Sequence, residues 1–195
     1  IFSLPVSINQ SLGTNSTTPT RCYTDQLSGN MSPGLVRLHL DWRNLPDDSL
    51  EIFLYKLQAI LDKVSTPKIK GSVKLFSKSV TSYTGYSDVL PAHAPAYLLT
   101  EQDKLPVSAR TVLERALNRS LSVKPWGFTT DGGYLVQAGI PTIGFSPCEE
   151  KYAHTTHDQV NIKLMHEALV GTMALAVDLP KEYEKLNEAG SAKDS

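Results

Sequence analysis

Two hydrophobic periods stand back to back in residues 35–64, and their order limits the folds open to the chain. In LVRLHLDW, residues 35–42, Leu35, Arg37, His39 and Asp41 share one face, and Val36, Leu38, Leu40 and Trp42 the other. A period of two is that of a β-strand with one buried face. Residues 44–48 break the pattern, and Asp47, Asp48 or Ser49 stands where a helix N-cap belongs. In residues 49–64, Leu50, Phe53, Leu54, Leu57, Ile60, Leu61 and Val64 then recur at helical spacing. Pro67 ends that run, and residues 69–80, IKGSVKLFSKSV, read as another strand. This strand–helix–strand order predicts a small α+β domain, with helices on one side of an antiparallel sheet.

The flanking segments are read the same way. Residues 1–30, rich in Ser, Thr, Asn and Gly, predict a short strand and loops. Residues 81–106, with Gly85, Pro91, Pro95 and Pro106, predict a long connection that holds a domain boundary somewhere in 83–106. Past it, residues 106–119 predict a helix opened by Pro106. IPTIGF, residues 140–145, predicts a short buried strand, and residues 162–179 a strongly apolar final helix. The tail, 181–195, is polar and is expected to fray. The chain is thereby divided into 1–95, 96–180 and the tail.

Charge narrows the possible partners. The 19 Lys and Arg against 20 Asp and Glu leave a net charge near −1, so no broad field attracts nucleic acid or an anionic membrane. No segment reaches the roughly 20 apolar residues that span a bilayer. The opening IFSLPVSINQ lacks the basic start and apolar run of a signal peptide, and the expected location is the cytoplasm. Cys22 and Cys148 form no CxxC pair and leave one disulfide or two free thiols open. The start at Ile1 predicts a cut, processed or incompletely recorded chain.

Chemistry is concentrated in 126–160, WGFTTDGGYLVQAGIPTIGFSPCEEKYAHTTHDQV. A strand ending at Gly144 is followed by an irregular run with Glu149, Glu150, His154, His157 and Asp158. In α/β folds, ligands sit beyond the strand ends, and imidazole with carboxylate suits zinc. Upstream, GNMSPGLVRLHLDWR carries a turn into a strand that ends on Arg43.

These segments, in this order, resemble the second half of a zinc-dependent amidohydrolase and peptidase family. That family includes acetylornithine deacetylase, succinyl-diaminopimelate desuccinylase, aminoacylase and carboxypeptidase G. The resemblance covers most of residues 15–180 and is most specific in 126–160. It implies an α/β chain: an α+β lid, or dimerisation domain, in 1–95, joined in 96–180 to the C-terminal part of a zinc-peptidase-like catalytic domain. His154 matches the histidine that binds one metal of a two-zinc site, where Co2+ or Mn2+ can replace zinc. Asn30 matches the lid asparagine that reaches the substrate, and Arg43 the lid arginine that grips a substrate carboxylate. Asp131 matches an aspartate at the start of the penultimate helix, with a structural or supporting role such as capping backbone N–H groups. Asp158 stands where relatives carry an acidic residue, and His157 is an outside candidate for a ligand. Cys148 and Ser146 depart from the family's Gly-Pro-Gly turn.

The resemblance also implies what lies elsewhere. The first half of such an enzyme supplies the remaining metal ligands and the glutamate that takes a proton from the zinc-bound water. The chain is therefore expected to be inactive alone, to need that N-terminal half, and to form a homodimer through the lid. The expected substrates are N-acyl amino acids or small peptides with a free carboxylate. The rival expectation is a non-catalytic lid-like module that mediates dimerisation.

Overall fold

The computed structural model describes residues 4–191; the first three residues of the opening segment and the last four of the polar tail lie outside them. Between Ala96 and Tyr97 the chain divides into two units. Together they make a mixed α/β structure of small open sheets and helices, with nothing in it specific to a zinc-peptidase-like domain.

The first unit is built on hairpins. The short strands β1 (Ile8–Asn9) and β2 (Gly13–Thr14) pair antiparallel. β3 (Ser16–Thr24) and β4 (Val36–Arg43) pair antiparallel, with Ser16 opposite Arg43, Thr24 opposite Val36, and a bulge between Pro19 and Arg21. β5 (Ser77–Thr81) pairs with β6 (Ser87–Pro91). Helix α1 (Leu50–Val64) starts where its spacing predicts. Of the three candidate caps, Ser49 is the one used: its hydroxyl accepts from the Ile52 N–H at 3.2 Å. α1 meets β4 where the Trp42 ring stacks on Phe53, with centroids 4.0 Å apart and planes 3° from parallel.

Asp48 does a different job from capping. Its carboxylate accepts from the Leu45 N–H at 2.8 Å, the Ser7 hydroxyl at 2.5 Å and the Asn15 amide at 3.2 Å. Burial pushes its pKa up, but these three hydrogen bonds and the charge of Lys56 outweigh it and hold the carboxyl below its ordinary value. The opening segment is thereby tied to the start of α1.

Three expectations for this unit are corrected. The apolar face of β4 is not buried along its length: Val36 and Leu38 are exposed, while Leu40 and Trp42 are half-buried. The Trp42–Phe53 stack engages only the Arg43 end of the strand. Of the strand expected over 69–80, only Ser77 onward pairs. Residues 71–73 are held by a side chain of α1 instead: Gln58 accepts from the Val73 N–H at 2.8 Å and donates to the Gly71 carbonyl at 3.3 Å. The connection expected over 81–106 contains β6, reached by a tight turn at Ser82–Gly85. Gly85 adopts a positive φ of 85° and its N–H donates to the Ser82 carbonyl at 3.0 Å, a conformation open to Gly at no steric cost.

The second unit is helical. α2 (Lys104–Leu117) packs against α4 (Ile162–Ser191) through Ala109, Val112, Leu113 and Ala168, and Val112 is fully buried. At Gly171 the packing is close: a Cβ there would stand 2.6 Å from the Phe145 ring and 2.9 Å from Leu113. α3 (Gly132–Gln137) ends on a left-handed Gly139, with Ile140 N–H donating to Leu135 at 2.9 Å and Gly139 N–H to Val136 at 3.0 Å.

Two expectations change here. IPTIGF is not a strand: among the described residues no strand pairs with it, and Pro141 offers no donor. The final helix does not end before Pro180 but runs through it to Ser191. An interior proline costs about 3 kcal/mol. Arg115 of α2 reaches both sides of it, 3.6 Å from Asp178 and 3.7 Å from Glu182, and Leu179 and Tyr183 remain half-buried. Among the described residues no helix is long and apolar enough to cross a membrane.

Candidate functional site

The segment expected to hold metal is a chain of turns on the second unit. A single 3-10 turn, Glu150–Tyr152, leads into it. Thr155 organises the next turn: its hydroxyl donates to the Tyr152 carbonyl at 2.8 Å and accepts the His157 N–H at 3.1 Å, while its carbonyl accepts the Asp158 N–H at 3.2 Å. His154 sits on this turn with a positive φ of 61°, a conformation in which histidine is enriched among side chains other than glycine. Its ring lies 5.0 Å from Phe128, which lies 5.6 Å from Trp126.

The two glutamates that precede His154 have other partners. Glu150 accepts from the Gly127 N–H at 3.0 Å, and a Cβ on Gly127 would stand 2.5 Å from that carboxylate oxygen and displace it. Glu149 pairs with Lys151 at 3.3 Å. Hydrogen bonds from Lys151 to Tyr152 and to Glu149 hold that ammonium above the ordinary lysine range. Asp131 stands at the start of α3, yet its side chain makes no capping bond; its carbonyl accepts from Tyr134 at 3.1 Å and Leu135 at 3.4 Å. His157 and Asp158 are exposed.

The expectation of a zinc site is therefore corrected. Among the described residues no three His, Cys, Asp or Glu side chains come together as metal donors. Catalytic zinc needs three protein ligands converging on one point. His154 supplies one imidazole, Glu150 serves a backbone N–H and Glu149 a lysine, and exposed Asp158 completes no set of three. Zinc, its Co2+ and Mn2+ substitutes, and the metal-binding and metallopeptidase descriptions are set aside for this chain. Cys22, in the first unit, is a free exposed thiol, and Cys148, in the second, a free half-buried one.

The lid residues belong to the first unit. Arg43 closes β4, and its Nε lies 2.8 Å from a carboxylate oxygen of Asp41. Among the described residues neither Nη1 nor Nη2 has a protein partner. Asn30 lies in the loop between β3 and β4, bonded to the Ser28 hydroxyl. Seven rises of about 3.3 Å separate the ends of β4, so Arg43 lies about 23 Å from the end that adjoins the Asn30 loop. One small substrate cannot touch both residues of a single copy.

Asp41 is the residue that sequence reasoning missed. The signal was present, since side chains two apart on a strand share a face. His39 lies between the rings of Tyr23 at 5.4 Å and Phe76 at 5.3 Å, a packing role. No family model, no curated protein and no solved structure matches the chain. The functional reading therefore rests on the residues themselves.

Proposed function

We propose that the chain is the carboxylate-holding, non-catalytic part of an amide hydrolase, acting on N-acyl amino acids or small peptides with a free carboxylate. The observation that carries this reading is Arg43. Asp41 holds the guanidinium by one nitrogen and leaves the two terminal nitrogens without a protein partner among the described residues. Those two nitrogens match the two oxygens of a carboxylate. Asp41 also limits the rotamers of the arginine, so part of the ordering cost is met before a ligand arrives.

The Arg43 side chain is 58% exposed, and binding at such a site is weak, at about millimolar strength. Selectivity is expected to come from the carboxylate and not from the acyl group. Bond cleavage needs a nucleophile and a base that this reading assigns to other polypeptide. Two free thiols suit a reducing compartment such as the cytoplasm.

The test is a titration of the chain with N-acetylglycine and, separately, with N-acetylglycinamide, monitored by the NMR signals of the Arg43 guanidinium. Only the carboxylate is expected to shift them, and Arg43→Gln is expected to remove binding without changing the fold. An equal response to both ligands would remove the basis of the proposal.

A further inference from the structure

One face of the β3–β4 hairpin sets rings and cations in alternation. Residues opposite each other in an antiparallel pair share a face, and Arg21 stands opposite His39, Tyr23 opposite Arg37. These four mark the corners of a patch about 7 Å along the strands and about 5 Å across them, so each ring has a cation beside it in both directions. The patch is turned away from α1, because Trp42, on the other face of β4, is the residue that stacks on Phe53. Arg21 is tied to its neighbouring ring, with Nη1 donating to the Tyr23 hydroxyl at 3.2 Å.

A third ring extends the row, since Phe76 lies against His39 with centroids 5.3 Å apart. The Ala92 N–H donates to the Phe76 carbonyl at 2.8 Å and Ser77 pairs with Pro91, so the register of β5 runs back through Phe76, and Lys78 shares its face. Lys74 stands two residues before that ring. Tyr23 and Phe76 are 47% and 56% exposed, and Arg21, Arg37, Lys74 and Lys78 are all exposed. Among the described residues none of these four cations is in an ion pair. Asp41, the carboxylate on this face of β4, holds Arg43, and Asp88 lies beyond Lys78, opposite Val80. The charge of the neighbourhood is one-sided: residues 63–78 contain Lys63, Lys68, Lys70, Lys74 and Lys78 and no Asp or Glu. A net charge near −1 for the whole chain averages this away.

A ligand complementary to this face carries anions and flat rings in alternation. An acidic polypeptide offers carboxylates without the rings, and a membrane offers phosphates over hydrocarbon. A single nucleic-acid strand offers phosphates for the cations and unpaired base faces for Tyr23 and Phe76, whereas a duplex keeps its base faces in the stack. We propose that the face of Arg21, Tyr23, Arg37 and His39, extended by Phe76 and its flanking lysines, binds single-stranded nucleic acid. Arg43 closes β4 about 20 Å from Arg37, beyond Asp41, so this binding does not rest on Arg43 holding a carboxylate.

The test is fluorescence anisotropy of a labelled twelve-nucleotide oligothymidylate titrated with the full chain. Saturable binding is expected at 50 mM salt. It should weaken about twentyfold at 150 mM salt, as four phosphate contacts on a single strand require. Tyr23→Ala and Phe76→Ala should each weaken it about fivefold or more and leave the salt dependence unchanged. Arg37→Gln and Lys78→Gln should each weaken it and make the salt dependence shallower. Arg43→Gln should bind like wild type. Absence of binding at 50 mM salt would overturn the proposal. So would equal binding to a duplex of the same length, to polyglutamate or to vesicles of anionic phospholipid, or a Tyr23→Ala chain that binds like wild type.

Discussion

The two units hold together in different ways. The first is three hairpins and one helix, and the helix meets β4 at a stacked ring pair, Trp42 on Phe53. Its remaining ties are polar: Asp48 gathers Ser7, Asn15 and Leu45, and Gln58 holds residues 71–73. The second unit is two long helices packed on Val112, Leu113 and Ala168, with Phe145 pressed on Gly171. A unit fastened by directed polar bonds should respond to pH and to single donors. A unit fastened by packing should respond to volume. Each unit carries one tryptophan, Trp42 and Trp126, so fluorescence can track them separately.

The sharpest break in the comparison is Val112→Asp. A charge at a fully buried position without a partner is expected to cost more than about 4 kcal/mol and to unfold the second unit while Trp42 still reports a folded first unit. Simultaneous loss of both tryptophan signals would show that the units do not fold independently. Next in size is Phe53→Ala, expected to cost the first unit about 3 kcal/mol in a urea titration and to shift Trp42 emission to the red. A smaller effect of the opposite sign is expected at Ser108. Its hydroxyl is fully buried and has no partner among the described residues, so Ser108→Ala should stabilise the second unit by about 1 kcal/mol, seen as a raised Tm.

Legibility in the sequence divides by the kind of signal each element carries. The spacing of Leu50, Phe53, Leu57 and Leu61 located α1, and that of Val112, Leu113 and Ala116 located α2 to within two residues. β4 was legible because its period is two. β3 was not: STTPTRCYT has no apolar alternation to betray a strand, and its pairing is fixed by β4 across a bulge. β6 was hidden because Ser82–Gly85 is a turn whose signal is a single glycine. IPTIGF shows the opposite failure, since apolar composition alone cannot supply a pairing partner. At the site, histidine and carboxylate types suggested metal, but type says nothing of convergence. Glu149 and Glu150 have partners of their own.

Two finer effects remain for the first unit. The folded-state pKa of Asp48 lies below its unfolded value, so its contribution is complete above the unfolded value of about 4 and is lost as pH falls through the folded one. The first unit should therefore lose stability in acid below about pH 4, and Asp48→Asn should flatten that part of the profile. An unchanged acid profile in the variant would assign the loss to other carboxylates. The smallest stability effect is expected at Arg43→Lys, within about 0.5 kcal/mol of wild type, because the side chain is exposed. The same variant should bind N-acetylglycine more weakly, since an ammonium cannot form the paired contact.

The most direct measurement reads one sample in two ways. The purified chain, with zinc added, is mixed with N-acetylated amino acids, and NMR records both the Arg43 signals and the release of acetate. The expected result is saturable, carboxylate-dependent binding with no acetate released above the protein-free rate. Zinc-dependent release of acetate by the chain alone would contradict the assignment of a holding role without the chemistry.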